Sequence, residues 1–121
     1  MAIDKKFVNE LIKVTSKAAL ASSYFVGKKD KIAADKAAVD SMRLNLNNLD
    51  LKGEIVIGEG ELDEAPMLYI GEKLGAGGNL DIDIAVDPLE GTNFVAKNLP
   101  GALSVISVSY THLTLPTNRE V

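Results

Sequence analysis

The sequence predicts an α/β fold, an α+β layered sandwich in which a helical hairpin is followed by a mixed sheet. Apolar residues recur at three- and four-residue steps through roughly the first fifty positions, and short β-branched runs bounded by glycine or proline replace them afterwards. No internal repeat or low-complexity linker divides the chain, and its 121 residues with 46% hydrophobic content fit one packed core.

Phe7, Val8, Leu11, Ile12, Val14, Ala18 and Ala21 place an amphipathic helix from Asp4 to about Tyr24. Gly27-Lys28-Lys29-Asp30-Lys31 interrupts it with a glycine and alternating charge. Ala38 or Val39, Met42, Leu46 and Leu49 then resume the helical step, and Gly53 is expected to end this second helical region. Ile55-Val56-Ile57 reads as a buried strand, and a second short strand is expected at Met67 to Ile70. After the turn Gly75-Ala76-Gly77-Gly78, Ile82, Ile84 and Val86 alternate with Asp81, Asp83 and Ala85 in a third strand that delivers Asp87 at its end. Thr92 to Lys97 suits a short helix, Asn98 to Gly101 a turn, and Ala102 to Val108 a last strand.

Composition excludes several classes of function. Thirteen basic against seventeen acidic residues leave a formal charge of −4, which argues against a nucleic-acid surface or a polybasic membrane patch. Without cysteine there is neither a disulfide nor a thiolate metal site. The apolar runs are too short to span a membrane, and the charged start from Met1 to Asn9 does not resemble a secretory signal. The expectation is a cytoplasmic protein.

Chemistry concentrates in Asp87-Pro88-Leu89-Glu90-Gly91-Thr92, where two carboxylates three residues apart follow a strand. Carboxylate oxygens suit hard cations such as Mg²⁺ and Mn²⁺, and Gly91 lets backbone approach a ligand. If Thr92 opens a helix, its free N–H groups favour a phosphate at the same turn. The same hexapeptide is also compatible with an acidic strand-to-helix turn capped by Thr92 or Glu90. A second cluster, Gly58-Glu59-Gly60-Glu61-Leu62-Asp63-Glu64, crowds four acids into six residues and suits either a cation or a solvated loop. Were the two strands parallel neighbours, Glu59 would lie beside the end of the Asp87 strand. Lys28, Lys29 and Lys31 could meet a phosphate but more often form a solvated loop, and Asp35 is more often a favourable charge near a helix start than a ligand. His112, the single histidine, receives no role.

Taken together, Gly27 to Asp35, Ile57 to Lys73 and Asp83 to Thr92 closely resemble the class II fructose-1,6-bisphosphatases of bacteria, members of the lithium-sensitive sugar and inositol phosphatase superfamily. The likeness runs from residue 4 to residue 108. In the superfamily the pattern is Asp-Pro-Ile/Leu-Asp-Gly-Thr; here Glu90 replaces the second Asp, and with the Gly-Glu-Gly-Glu turn it points to class II. The resemblance implies Asp35, Glu59, Asp87 and Glu90 as ligands of Mn²⁺ or Mg²⁺, and Glu90, Gly91 and Thr92 as contacts to the sugar phosphate. It implies catalytic roles for Lys31, Glu61, Asp63 and Thr92. The implied chemistry is in-line attack of metal-activated water on the 1-phosphate of fructose 1,6-bisphosphate, with the attacking and leaving oxygens held between metals roughly 4 Å apart. Fructose 6-phosphate is then the product, in gluconeogenesis, and the full-length parent is expected to be a homo-oligomer.

Residues 1–108 thus read as the N-terminal portion of a sugar-phosphatase domain, incomplete because further sugar-phosphate contacts and another metal-binding glutamate of the family lie beyond the region present. Residues 109–121 match nothing expected there and are expected to be a non-native tail, resembling translated sequencing-adapter DNA; the alternating Leu113 and Leu115 with threonines leave a real strand as the alternative. Little or no turnover is expected of these residues alone. Other phosphomonoesterase activities of the superfamily, on sedoheptulose bisphosphate, inositol phosphates or nucleotides, stay open. So do a non-catalytic metal- or phosphate-binding module and a purely structural domain.

Overall fold

In the computed structural model, residues 4–59 and 68–110 are described. Helix α1 (Lys5–Ser23) starts at Asp4, whose carboxylate accepts from the Lys6 N–H at 3.3 Å. Helix α2 (Lys31–Asn47) starts at Asp30, which accepts from the Ala33 N–H at 3.0 Å. Each cap satisfies an N–H that the first helical turn leaves without an intrahelical partner. The two helices pack against one another, as the hairpin reading requires.

Strands β1 (Lys52–Ile57), β2 (Lys73–Leu74), β3 (Asp81–Glu90) and β4 (Leu103–Tyr110) form one mixed sheet in the order β2-β1-β3-β4. β1 and β3 are parallel, and β2 and β4 lie antiparallel to their neighbours. The short helix α3 (Thr92–Ala96) joins β3 to β4. Alternation along β3 buries Ile82, Ile84 and Val86 in the core shared with Phe7, Val14, Ala38 and Met42 of the helices. The sheet is therefore covered on its helix side. On its other side Ile57, Leu103 and Val105 are exposed.

The structure corrects four boundaries. α2 stops at Asn47, well before Gly53, which is the second residue of β1. Glycine serves there as a packing residue, since a Cβ would stand 2.6 Å from Ile84 Cδ1. Within β1 only Ile55 of the expected apolar run is buried, and Val56 and Ile57 face outward past the irregularity in the β1/β3 register. The strand expected at Met67 to Ile70 is instead the two residues Lys73–Leu74. Leu68 is buried outside any strand, with its carbonyl accepting from the Glu59 N–H, while Met67 lies outside the described residues. β3 does not end at Asp87 but runs through Pro88 to Glu90. It does so across an irregularity between Asp87 and Glu90 that tolerates a proline without an N–H.

Candidate metal and phosphate site

The parallel pairing of β1 and β3 brings the chain just past Ile57 beside the second half of β3. Glu59 and Asp87 meet there, at the carboxyl ends of parallel strands, where open α/β sheets bind ligands. The turn that carries Glu59 needs its glycine. A Cβ on Gly58 would collide with the Leu68 carbonyl oxygen and would stand 2.6 Å from Ile55 Cγ2. Glu59 is fixed further by its N–H, which donates to that carbonyl at 2.8 Å. Across the layer, Asp35 reaches the same point from the second turn of α2, one turn after Lys31.

The electrostatics record the crowding. Burial, reinforced by the charges of Asp35 and Asp87, pushes the Glu59 carboxyl up to about 7. Burial also raises Asp35, while the hydrogen bond with Glu59 pulls it the other way. The shared proton therefore rests on Glu59, which donates to Asp35. A hydrogen bond to Asp87 raises the exposed Glu90 carboxyl, and the Asp87 charge adds to it. Asp35, Glu59, Asp87 and Glu90 are thus linked in sequence, each to the next. Among the described residues none of the four has a lysine or arginine at ion-pair distance.

Oxygen-only donors with unneutralised mutual repulsion match the chemistry of a hard divalent cation. The contacts run pairwise, however. Among the described residues no three acidic side chains converge closely enough to hold a cation as they stand.

Gly91, Thr92 and Lys31 flank this chain of acids. Gly91 takes φ 85° to turn from β3 into α3, and a Cβ there would stand 2.7 Å from Phe94 Cδ2. Thr92, half-buried, opens α3. Lys31, exposed, lines an open depression of about 450 Å³ with Lys29, Asn93, Ala96 and Lys97. The α1–α2 loop is held there by the Gly27 and Lys29 N–H groups, which donate to the Val95 and Ala96 carbonyls at 2.8 and 2.9 Å. Glu61 and Asp63 lie outside the described residues.

Sequence reasoning missed two supports. Arg43 of α2 forks onto Glu72, donating at 2.7 and 3.0 Å, and so ties the helix to the segment that returns from Leu68 toward β2. A glutamate and an arginine 29 residues apart give no sequence signal of pairing. Nor did sequence reasoning single out Asn93 of α3 and Lys97, which follows that helix, although both line the depression with Lys31.

Helices packed on a mixed sheet, with carboxylates gathered at parallel strand ends, define an α/β protein with a candidate acidic site. Its fold is shared by a solved structure titled an extragenic suppressor from Pyrococcus furiosus, with a TM-score of 0.57 and 17% identity over 88% of this chain and 41% of that one. A family model described as bacterial fructose-1,6-bisphosphatase, glpX-encoded, matches residues 5–118, and the chain belongs to that family. Two curated relatives from Prochlorococcus marinus are each named D-fructose 1,6-bisphosphatase class 2/sedoheptulose 1,7-bisphosphatase. The protein of strain AS9601 is 48% identical over 109 residues, 90% of this chain and 33% of its own length. That of strain MIT 9303 is 47% identical over 107 residues, 88% of this chain and 32% of its own. The chain therefore spans about a third of the length of these relatives. Among the described residues no helix is long and apolar enough to cross a membrane.

Proposed function

We propose that this chain supplies the metal-binding and phosphoryl-binding part of a phosphatase that hydrolyses the 1-phosphate of fructose 1,6-bisphosphate to fructose 6-phosphate. The observation that carries the reading is the linked set Asp35, Glu59, Asp87 and Glu90, with Glu59 raised to about 7 beside two other carboxylates. These four would hold Mn²⁺ or Mg²⁺, which supplies Lewis acidity toward the phosphoryl group and the leaving oxygen. Glu90, Gly91 and Thr92 line the turn at which the phosphate is oriented, and the Lys31 ammonium offsets its charge. The Thr92 hydroxyl and the Asp35 carboxylate orient the attacking water. The bond between phosphorus and the C1 oxygen breaks as the water oxygen bonds to phosphorus, and the C1 oxygen leaves with a proton. No covalent intermediate with the protein is needed. Glu61 and Asp63 join the catalytic set on the resemblance alone. The double name of the relatives extends the substrate class to sedoheptulose 1,7-bisphosphate. A cytoplasmic homo-oligomer acting in gluconeogenesis is the setting this reading implies.

Calorimetric titration of Mn²⁺ into the chain tests the reading. Binding is expected in the wild type and at least about tenfold weaker in Asp87→Asn, in line with loss of a charged ligand. Failure of wild type to bind either Mn²⁺ or Mg²⁺ at millimolar concentration would sink it. The 33% span favours a second reading for the chain in isolation, that it binds metal and phosphate without turnover. Metal binding without phosphate release from fructose 1,6-bisphosphate is the result that reading expects.

A further inference from the structure

Among the described residues Glu72 is the one buried charged side chain, 8% exposed, whereas Asp35, Glu59, Asp87 and Glu90 all keep more contact with solvent. An ion pair taken out of water seldom stabilises a fold more than an apolar pair of the same volume would. A buried pair at this place therefore asks for a role in geometry. Both oxygens of Glu72 are committed: Oε2 accepts from Arg43 Nε at 2.7 Å, and Oε1 accepts from Arg43 Nη2 at 3.0 Å and from the Tyr69 N–H at 3.3 Å. The Glu72 N–H returns to the Tyr69 carbonyl at 3.0 Å, which closes residues 69–72 into a turn. Two bonds fasten that turn to β1. The Gly71 N–H donates to the Ile55 carbonyl at 2.7 Å, and the Ile55 N–H donates to the Glu72 carbonyl at 3.0 Å.

The fork joins the two elements whose acids meet. On one side Arg43 follows Asp35 along α2 by about two helical turns. On the other, buried Leu68 directly precedes the closed turn, and its carbonyl is the acceptor that fixes the Glu59 N–H at 2.8 Å. A chain of groups from Asp35 through Arg43, Glu72, Tyr69 and Leu68 to Glu59 thus runs beside the direct contact between the two acids. A planar guanidinium holding both carboxylate oxygens sets orientation as well as distance, which a single ammonium contact does not.

We infer that Arg43 and Glu72 are a positioning pair for the candidate metal site, setting how Asp35 and Glu59 stand toward one another and so how tightly these two acids take up one divalent cation. Neither residue is itself a ligand. The inference rests on the metal-binding reading and extends it to two residues outside the acidic set. Groups that orient metal ligands commonly carry about 10- to 100-fold of a site's affinity.

Calorimetric titration of Mn²⁺ into the full 121-residue chain, with amide hydrogen exchange read on the metal-free protein, tests the assignment. Arg43→Lys keeps a cation beside Glu72 without the fork, and Glu72→Gln keeps the shape without the charge. Each is expected to bind Mn²⁺ at least about tenfold more weakly than wild type, under conditions where circular dichroism shows it folded. Each is also expected to speed exchange of the Glu59 amide by at least about tenfold relative to the amides of α1, whereas a loss of global stability alone would speed both together. Val14→Ala, a core truncation on α1, which carries none of the four acids, is expected to lower the melting temperature and leave Mn²⁺ affinity within about twofold of wild type. If Glu72→Gln does not fold, the milder Arg43→Lys decides the outcome. Wild-type Mn²⁺ affinity in Arg43→Lys, an equal loss in Val14→Ala, or Glu59 exchange that rises only in step with α1 would overturn the inference and leave the metal reading standing. Failure of the wild type itself to bind Mn²⁺ would overturn both.

Discussion

Replacing Glu59 by glutamine should stabilise the metal-free protein, and only above about pH 5. In the unfolded chain this carboxyl titrates near its ordinary value of 4.5, whereas in the folded protein it titrates at about 7. A raised carboxyl pKa means that the folded state binds the proton more tightly than the unfolded state. Below pH 4.5 both states are protonated and no penalty exists. Between 4.5 and 7 the unfolded state ionises first, so stability falls as pH rises, and above 7 the full penalty remains. A shift of that size corresponds to about 3 kcal/mol at most. Glu59 is half-buried, and solvent screening reduces the expected value to about 1–2 kcal/mol. Glutamine keeps the shape and keeps a donor toward Asp35, but carries no charge at any pH. Urea denaturation followed by circular dichroism in EDTA at pH 5 and pH 8 measures the difference directly. Glu59→Gln should exceed wild type by about 1–2 kcal/mol at pH 8 and by markedly less at pH 5. A difference that is absent at pH 8, or that has the same size at both pH values, would show that Glu59 is neither desolvated nor crowded by Asp35 and Asp87 as the structure indicates.

Two further outcomes follow from the packing. Glu72→Ala should destabilise the chain by about 2–3 kcal/mol, because the partly buried Arg43 guanidinium loses both bonds to that carboxylate; a loss under about 0.5 kcal/mol in urea denaturation would mean that the pair is solvated and idle. Ile84→Ala, at the centre of β3 with no exposed surface, should cost about 2–5 kcal/mol by the same measurement, and a near-neutral result would contradict the sheet-to-helix packing.

The elements most legible in the sequence were those with strong periodicity. α1, α2 and the alternation of β3 follow from the spacing of Phe7, Leu11 and Val14, of Ala38, Met42 and Leu46, and of Ile82, Ile84 and Val86. The proximity of Glu59 to Asp87 was also foreseeable, since a strand before each acid and a crossover between them suffices to suggest parallel neighbours. Less visible was anything set by tertiary contact. Gly53 reads as a breaker until Ile84 is seen to need its missing side chain, and Lys73–Leu74 becomes a strand only because β1 offers an edge. The pairing of Arg43 with Glu72 depends on how α2 lies over the sheet. Asp35 is a related case. Sequence places it near a helix start, and only the packing of α2 across the strand ends turns that charge toward Glu59.

The arrangement crowds carboxylates where its chemistry is proposed. Three separate elements, α2, the turn after β1 and the second half of β3, each bring an acid to the same end of the sheet, where they meet in pairs, and each is anchored by groups that do not themselves bind a ligand. Arg43 and Glu72 hold the helix, the Leu68 carbonyl holds the Glu59 turn, and the irregularity at Pro88 sets Asp87 and Glu90 on the same stretch of chain. Burial of Glu59, reinforced by repulsion from Asp35 and Asp87, is retained as a raised proton affinity at that carboxyl. A proton and a cation compete for that charge, so any divalent ion bound there must displace the proton, and its affinity should strengthen as pH rises toward and past 7. The surrounding scaffold can sustain this local cost because the core beneath it, from Met42 and Leu46 to Ile55 and Ile84, is fully buried.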